Sequence, residues 1–181
     1  NRCGIRWNMG ARELVADAAK RPVEAAEAAV EGVSAGALNR MPGGTHNSMS
    51  WLLWHAARQQ DAQIAALCGA EQVWTAQGWY ESFGLDRPAE DFGFGDGPRE
   101  GAGVRVQDPG LLIGYLRAVC CGTAEYVNGL DDASLDEIVD DSWDPPVTRG
   151  VRIVSTIDDA AQHVGQAAYV RGLVDEWSGR Y

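Results

Sequence analysis

Four stretches of the chain repeat apolar residues at the three- to four-residue spacing of an amphipathic helix. They cover residues 11–38, 47–68, 109–130 and 153–177. Residues that start or stop helices lie between them. No run of alternating apolar and polar residues is long enough to anchor a sheet. The pattern therefore predicts an all-α fold with four long helices and long connections.

The boundaries of these helices follow from individual residues. Pro22 interrupts the first stretch and should kink or divide it, because proline removes a helical hydrogen bond and clashes with the preceding turn. Asn47 or Ser48 can cap the second helix, and Gly69 stands where a left-handed terminal glycine is expected. Asp108, followed by proline, should open the third helix.

Residues 70–107 break the helical pattern and are rich in aromatic side chains, glycine, proline and acidic residues. A long irregular segment in a compact domain is usually functional or disordered. The density of aromatic residues favours an ordered segment that forms a lid or a pocket wall. The alternative is that these aromatics only seal one end of the helical bundle.

The length and charge of the chain limit its organisation and partners. With 181 residues it should form one domain. Met9 could be the natural start, so that residues 1–8 would be a cloning remnant or upstream readthrough and the domain would cover residues 9–181.

A net charge of −11 argues against a nucleic-acid partner and against an anionic membrane surface. No apolar run approaches the roughly 20 residues that span a bilayer. We therefore expect a cytoplasmic protein with a small-molecule partner, and a homodimer is compatible with the sequence.

The four cysteines give no metal or redox motif. Cys120 and Cys121 are adjacent and point about 100° apart on a helix, so they cannot form a CxxC pair. Cys3 lies in the doubtful N-terminal segment, and Cys68 is alone at a helix end. We expect free, buried thiols.

The candidate chemistry comes from the histidines. Asp159 and His163 are four residues apart and share a helix face, and this spacing suits two ligands of one metal ion. His55 lies in the middle of the second helix, and helical bundles often build metal sites from facing helices. Two imidazoles and one carboxylate fit Zn²⁺ with an open position, or Fe(II) or Ni(II). The alternative is that Asp159 faces solvent and that His163 is a core residue.

The segments "NSMSWLLWHAARQQD" and "DDAAQHVGQAAYVRG" resemble the DinB-like superfamily, which includes mycothiol-dependent maleylpyruvate isomerases and thiol S-transferases. The resemblance covers residues 10–178. It implies an up-up-down-down four-helix bundle that carries a divalent metal, usually zinc or nickel. In this sequence the family's ligand positions are occupied by His55, Asp159 and His163, with the carboxylate that the mycothiol-dependent isomerases also have.

Helix geometry predicts neighbours for these ligands. Trp51 and Arg58 lie one turn on either side of His55, and Gln166 lies one turn beyond His163, so all three should border the same cavity. Arg58 could clamp an anionic substrate or could instead pair with an aspartate of the protein, Asp61 or Asp175. Trp79, in the aromatic segment, is a further candidate for the pocket.

Two functions fit these observations. The first is a metal-dependent enzyme, a transferase, isomerase or hydrolase, that activates a water or a low-molecular-weight thiol such as mycothiol. The sequence has no Ser-His-Asp arrangement, Walker loop or Rossmann fingerprint, so the chemistry would have to come from the metal pocket. The second is a non-catalytic protein that binds or sequesters a small molecule in an aromatic-lined cavity.

Overall fold

A computed structural model describes residues 10–175, 177 and 178, so Cys3 and the predicted boundary at Met9 lie outside the described residues. The described chain is mostly helical, as the sequence predicts. Its helices are α1 (Ala11–Ala18), α2 (Arg21–Val30), α3 (Ala35–Leu38), α4 (Met49–Cys68), α5 (Val73–Ala76), α6 (Trp79–Phe83), α7 (Pro98–Gly101), α8 (Pro109–Gly129) and α9 (Arg149–Val174). The 3₁₀ turns Pro42–Gly44 and Ala133–Asp136 and the strands β1 (Ile138–Asp140) and β2 (Val147–Thr148) complete the described elements.

The first predicted helix is divided into α1, α2 and α3. Pro22 lies in the first turn of α2, where its missing N–H costs nothing. Gly32 follows α2 with φ +67°, a left-handed conformation that ends the helix. The prediction that Pro22 kinks or divides this segment is confirmed.

The other long helices begin and end at the residues that chemistry favours. The Ser48 hydroxyl accepts a hydrogen bond from the Trp51 N–H and caps α4, and Gly69 ends α4 with φ +62°. The Asp108 carboxylate caps α8. Helix α9 begins at Arg149, earlier than the predicted residue 153, because Thr148 supplies its cap.

Contacts between side chains show that α4 and α8 run in the same direction. Arg58 meets Tyr115, Gln60 donates to Thr123 at 2.8 Å, and Tyr126 donates to the Leu67 carbonyl. Residue numbers rise together along both helices, so the two are parallel. The long connection formed by residues 69–108 returns the chain to the end where α4 began.

The remaining helices run the other way. Gln59 on α4 donates to the carbonyl of Thr156 on α9, while Leu52 and Gln166 line one cavity, so α4 and α9 are antiparallel. Glu27 on α2 pairs with Arg117, in the first half of α8, while α1 meets the end of α8. The order is therefore up-down-down-up, and the up-up-down-down order implied by the resemblance is wrong for this chain. The reason is the parallel crossover between α4 and α8.

Helix α4 occupies the centre of the protein. Every residue from Met49 to Asp61 is buried, so other elements cover α4 on all sides and enclose its polar residues as well as its apolar ones. Its polar residues His55, Arg58 and Asp61 therefore need partners or a function, since an unpaired buried polar group is costly.

A small sheet precedes α9. Strands β1 and β2 pair antiparallel, with Ile138 opposite Thr148 and Asp140 opposite Val147. Strands of three and two residues are too short to show a period of two in sequence, which is why the apolar pattern did not predict them. The Arg152 side chain of α9 donates to Asp140 at 2.8 Å and joins the hairpin to the helix.

The described cysteines are all free, but only Cys120 is buried. Burial raises the pKa of its thiol to about 12. Cys68 and Cys121 are exposed, so the prediction of buried thiols is wrong for these two. Cys121 points away from the core because it follows Cys120 by about 100° on α8.

Among the residues that the structure describes, no helix has the length and apolarity that crossing a bilayer requires.

Candidate metal centre

Helices α4 and α9 bring His55, Asp159 and His163 together. One potential ligand atom from each lies within 4.8 Å of the others. The two imidazole rings meet edge to face with centroids 4.7 Å apart. His163 Nε2 lies 3.6 Å from Asp159 Oδ1, beyond a normal hydrogen bond. The described residues contain this one cluster of three or more potential ligands.

The environment of His55 fixes which of its nitrogens is free. Nδ1 contacts the backbone carbonyl of Phe92, and a carbonyl can only accept, so Nδ1 carries the proton. Nε2 then has its lone pair available to a metal. Burial lowers the pKa of His55, partly offset by the Phe92 carbonyl, and the neighbouring His163 also acts to lower it. Both effects favour the neutral imidazole that metal binding requires.

His163 is oriented in a similar way by its own helix. Gln166 lies one turn further along α9. Its Oε1 is 3.1 Å from His163 Nδ1 and can accept a hydrogen bond from an Nδ1–H. Nε2 of His163 then points towards Asp159. A metal-ligating histidine usually donates its other N–H to a carbonyl or carboxylate, which sets the tautomer and the ring orientation.

The three residues fit a divalent metal ion. Two donors bound to one Zn²⁺ at about 2.1 Å can be at most about 4.2 Å apart, so the 4.8 Å cluster needs only a small closure. Asp159 can supply it because its side chain is 44% exposed, whereas His55 is 8% exposed and held on several sides. Two imidazoles and one carboxylate leave at least one coordination position for another ligand.

Trp51 supports His55 from the other face. Its indole ring stacks on the imidazole at 4.6 Å with an angle of 13° between the planes. The indole N–H donates to Asp96 at 2.7 Å, and Arg87 holds that carboxylate with two bonds of 2.7 and 2.6 Å. Because the Trp51 ring is fixed by Asp96 and stacks on His55, the His55 ring has little freedom to turn away from the centre.

The segment from Arg87 to Asp96, which we call the clamp loop, covers the buried side of the centre. Arg87, its first residue, binds the carboxylate of Asp91 in its middle and that of Asp96 at its end. Between them Gly93 has φ +84°, and a Cβ at this position would lie 2.8 Å from the Trp54 ring and 3.3 Å from His55 Nδ1. Only glycine fits here without strain. Part of the aromatic segment thus forms a wall of the site.

Two surface cavities each include a residue that contacts one of the two histidines. One, of about 540 Å³, has Phe92 in its wall together with Gln63, Arg149 and Arg152. The other, of about 460 Å³, is lined by Gln166 and His46 among mainly apolar residues of α4 and α9. Phe92 and Gln166, which orient the two histidines, therefore each lie between the centre and a surface cavity.

The expectation that Arg58 borders the same cavity as His55 and His163 is wrong. Arg58 is 0% exposed. Its nitrogens donate to the carbonyls of Ala89 and Asp91 and to Gln72, and it lies 3.7 Å from Asp61. The alternative reading, a pair with Asp61, is the observed one. Arg58 is turned towards Tyr115 of α8, whereas His55 faces His163 of α9.

Trp79 lies against α8 rather than beside the ligands. Its ring packs on Tyr115, with centroids 5.7 Å apart, and against the backbone at Gly114. Trp51 and Gln166, in contrast, touch His55 and His163 directly. Of the predicted neighbours, two therefore belong to the centre and two to the packing around Tyr115.

Sequence reasoning missed the clamp loop residues. The Phe92 carbonyl has no signal in the sequence because every residue carries one. The signal that was available is "DFGFGDG", in which two glycines flank a phenylalanine and are followed by an aspartate, typical of a strained loop.

The arrangement defines a helical protein with a candidate His/Asp/His metal centre, and comparison with known proteins specifies its family. A family model described as mycothiol S-transferase matches residues 15–176. A crystal structure of a conserved protein from Enterococcus faecalis is similar, with 38% identity and a TM-score of 0.87 over 93% of this chain and 99% of that one. No curated protein matches the chain. The chain belongs to the mycothiol S-transferase family, which is a DinB-like family.

Proposed function

We propose that this protein is a metal-dependent thiol S-transferase that joins a low-molecular-weight thiol of the mycothiol type to a small electrophile. The observation that carries the proposal is the convergence of His55, Asp159 and His163, with both Nδ1 atoms directed at acceptors and a partly exposed carboxylate. Membership in the mycothiol S-transferase family supports the choice of thiol.

Each ligand would have a distinct task. His55 and His163 would bind through Nε2, because Phe92 and Gln166 hold their Nδ1 protons. Asp159 would lower the net charge of the centre and close it from the exposed side. A divalent metal, with zinc preferred and nickel or iron as alternatives, supplies the Lewis acidity that lowers the pKa of a thiol or a water near neutral pH.

The surroundings support a reaction between two small molecules. The clamp loop and Trp51 shield the His55 side from water. The cavity of about 460 Å³ beside Gln166 would provide room for one of the two reactants. Holding both reactants beside one centre is an efficient way to accelerate their combination.

Metal content and thiol transfer should be lost together when a ligand is removed. We expect His163→Ala to lower zinc retention and conjugation of mycothiol to 1-chloro-2,4-dinitrobenzene by more than about tenfold, because losing one ligand of three removes much of the affinity. Elemental analysis and absorbance of the conjugate measure the two quantities.

Asp158→Ala is the matched control, since Asp158 is exposed on the same helix and its side chain bonds to Gln162 rather than to a ligand residue. It should retain both zinc and conjugation. A His163→Ala protein that keeps its zinc, or a wild type that transfers thiol equally well without metal, would refute the proposal. Absence of transfer both with and without metal would favour the non-catalytic binding alternative.

A further inference from the structure

The cavity of about 540 Å³ beside Phe92, which we call the arginine cavity, is not used by the chemistry above. Its walls come from the second half of α4, the first turn of α9, and Val139 of β1. The hairpin and Phe92 enclose it from the sides. It is a pocket built from four separate segments of the chain.

The arginine cavity continues the row of residues that carries the metal ligands. Arg152 precedes Asp159 by seven residues on α9, which is about two turns and about 10 Å. Gln63 stands in a similar relation to His55 on α4. Phe92 connects the two regions, because its ring is in the cavity wall and lies 6.4 Å from the His55 ring. A molecule about 10 Å long would therefore match the distance along α9 from the cavity to the centre.

Both charged residues that line the cavity are arginines, although the whole chain carries a net charge of −11. Arg149 is committed to the structure: its nitrogens donate to Ser134, Leu67, Tyr126 and Glu137.

Arg152 is differently placed. One of its nitrogens, Nη2, donates to Asp140, and its side chain is 30% exposed. Within the described part of the chain, Nε and Nη1 of Arg152 have no hydrogen-bond partner. A guanidinium with two free donors in a fixed plane is suited to a carboxylate.

We propose that the arginine cavity binds the carboxylate end of a substrate through Arg152, while the reacting end of the same molecule lies at His55, Asp159 and His163. The substrate class is then a small molecule whose carboxylate is on the order of 10 Å from its reacting atom, the length of two turns of α9. This inference rests on the proposed metal-dependent function and adds to it the charge and length of the substrate.

The test uses two probes of equal length, 6-mercaptohexanoate and its amide, 6-mercaptohexanamide. Both place a sulfur at one end, but only the acid offers a carboxylate to Arg152. Calorimetry on the zinc-loaded full chain should show that the acid binds about tenfold or more tightly than the amide, as expected for a charge-assisted hydrogen bond in a pocket. In Arg152→Gln the acid should bind no better than the amide.

Two further variants separate recognition from structure. Asp140→Asn breaks the ion pair with the hairpin but leaves the guanidinium, so the preference for the acid should persist or increase. Arg21→Gln removes an arginine from an exposed ion pair on α2 and should change neither affinity. Loss of the preference in Asp140→Asn would mean that the arginine only holds the hairpin, and the inference would fail.

The outcomes distinguish a failure of this inference from a failure of the proposed metal-dependent function. If the zinc-loaded protein binds acid and amide equally, or if Arg152→Gln keeps the preference, the arginine cavity does not bind carboxylates and the metal centre stands. If the protein retains no zinc and binds neither probe, the proposed function fails and the inference fails with it.

Discussion

Two polar clusters lie on neighbouring turns of α4 and face different helices. The first, which we call the Arg58 cluster, joins Arg58 and Asp61 to Tyr115 and to the backbone of α5. Asp61 accepts from the N–H groups of Val73 and Trp74 at 2.9 and 2.8 Å and from the Tyr115 hydroxyl at 2.8 Å. The second is the metal centre, in which one potential ligand atom from each of three residues lies within 4.8 Å of the others and no hydrogen bond joins them.

The difference is in how completely the polar atoms are used. In the Arg58 cluster burial and multiple internal partners make each group part of the structure. In the metal centre one nitrogen of each imidazole is held by the protein, and the other is left facing a partly exposed carboxylate. Buried polar groups with full internal pairing stabilise a fold, while aligned groups with free lone pairs are typical of a site that binds something else.

The sharpest test of this comparison removes one aspartate from each cluster. Asp61→Ala leaves Arg58 buried without its carboxylate and frees three donors, so we expect a loss of about 3–5 kcal/mol in the free energy of unfolding. Asp159→Ala removes a partly exposed group without a hydrogen bond and should cost less than about 1 kcal/mol in the metal-free protein. Denaturant unfolding of both variants, without metal, makes the comparison.

Zinc binding should reverse that ranking. Asp159→Ala should weaken zinc binding strongly, while any folded fraction of Asp61→Ala should bind zinc as the wild type does. Equal destabilisation by the two substitutions would show that the clusters do not differ in the way described.

A substitution in the clamp loop should affect both properties at once. Gly93→Ala combines a left-handed φ of +84° with a contact of 2.8 Å to Trp54 and 3.3 Å to His55. We expect a loss of about 1–3 kcal/mol in stability from strain and overpacking. We also expect weaker zinc binding, because the Phe92 carbonyl would be displaced from His55.

Gly95→Ala is the matched control for Gly93→Ala. Its φ of +81° carries the same backbone strain, but a Cβ there meets nothing within 4 Å. It should lose a similar amount of backbone stability, about 1 kcal/mol, and keep full zinc affinity. If both variants lose zinc equally, loop strain alone sets the affinity and the contact with His55 does not matter.

The smallest expected effect is a change in the pH dependence of stability. Burial opposes the ionisation of Asp96, but hydrogen bonds from Arg87 and Trp51 outweigh it and lower the pKa of this carboxyl below the model-compound value of 3.8. A lowered pKa in the folded state means that the stabilisation is present above pH 3.8 and is lost as pH falls through the folded pKa.

Asp96→Asn should therefore reduce stability by about 1 kcal/mol at pH 6, and by progressively less as the pH falls below 3.8 and through the folded pKa. Urea unfolding across this range measures the difference. Glu90→Gln, an exposed change in the same loop, should leave the pH profile unaltered. A constant offset for Asp96→Asn at every pH would assign its cost to packing rather than to charge.

The features that were predictable from sequence are those that depend on neighbours in the chain. The caps at Ser48 and Asp108 and the left-handed Gly69 follow from local hydrogen bonding and sterics. The shared face of Asp159 and His163 follows from helix periodicity.

Pairings between distant segments were not predictable in the same way. Helix periodicity fixes which way Arg58 points relative to His55, but not which helix lies on that side. The parallel course of α4 and α8 placed Tyr115 and α5 there, and thereby made Arg58 a structural residue. The contacts of His55 with the Phe92 carbonyl and with Trp51, which Asp96 anchors, likewise depend on the path of the loop. The composition of residues 70–107 does not determine that path.

The origin of the ligands in α4 and α9 has a consequence for heat tolerance. A metal shared by His55 and Asp159 would close a covalent-like ring of roughly a hundred residues, which contains the clamp loop, α8 and the hairpin. Such a cross-link restricts the unfolded chain as a long-range disulfide does. The free energy of unfolding should then rise by about 1.4 kcal/mol for each tenfold increase in free metal above the dissociation constant, and the melting temperature should rise with it. The free metal concentration would thus set the heat tolerance of the protein as well as its activity.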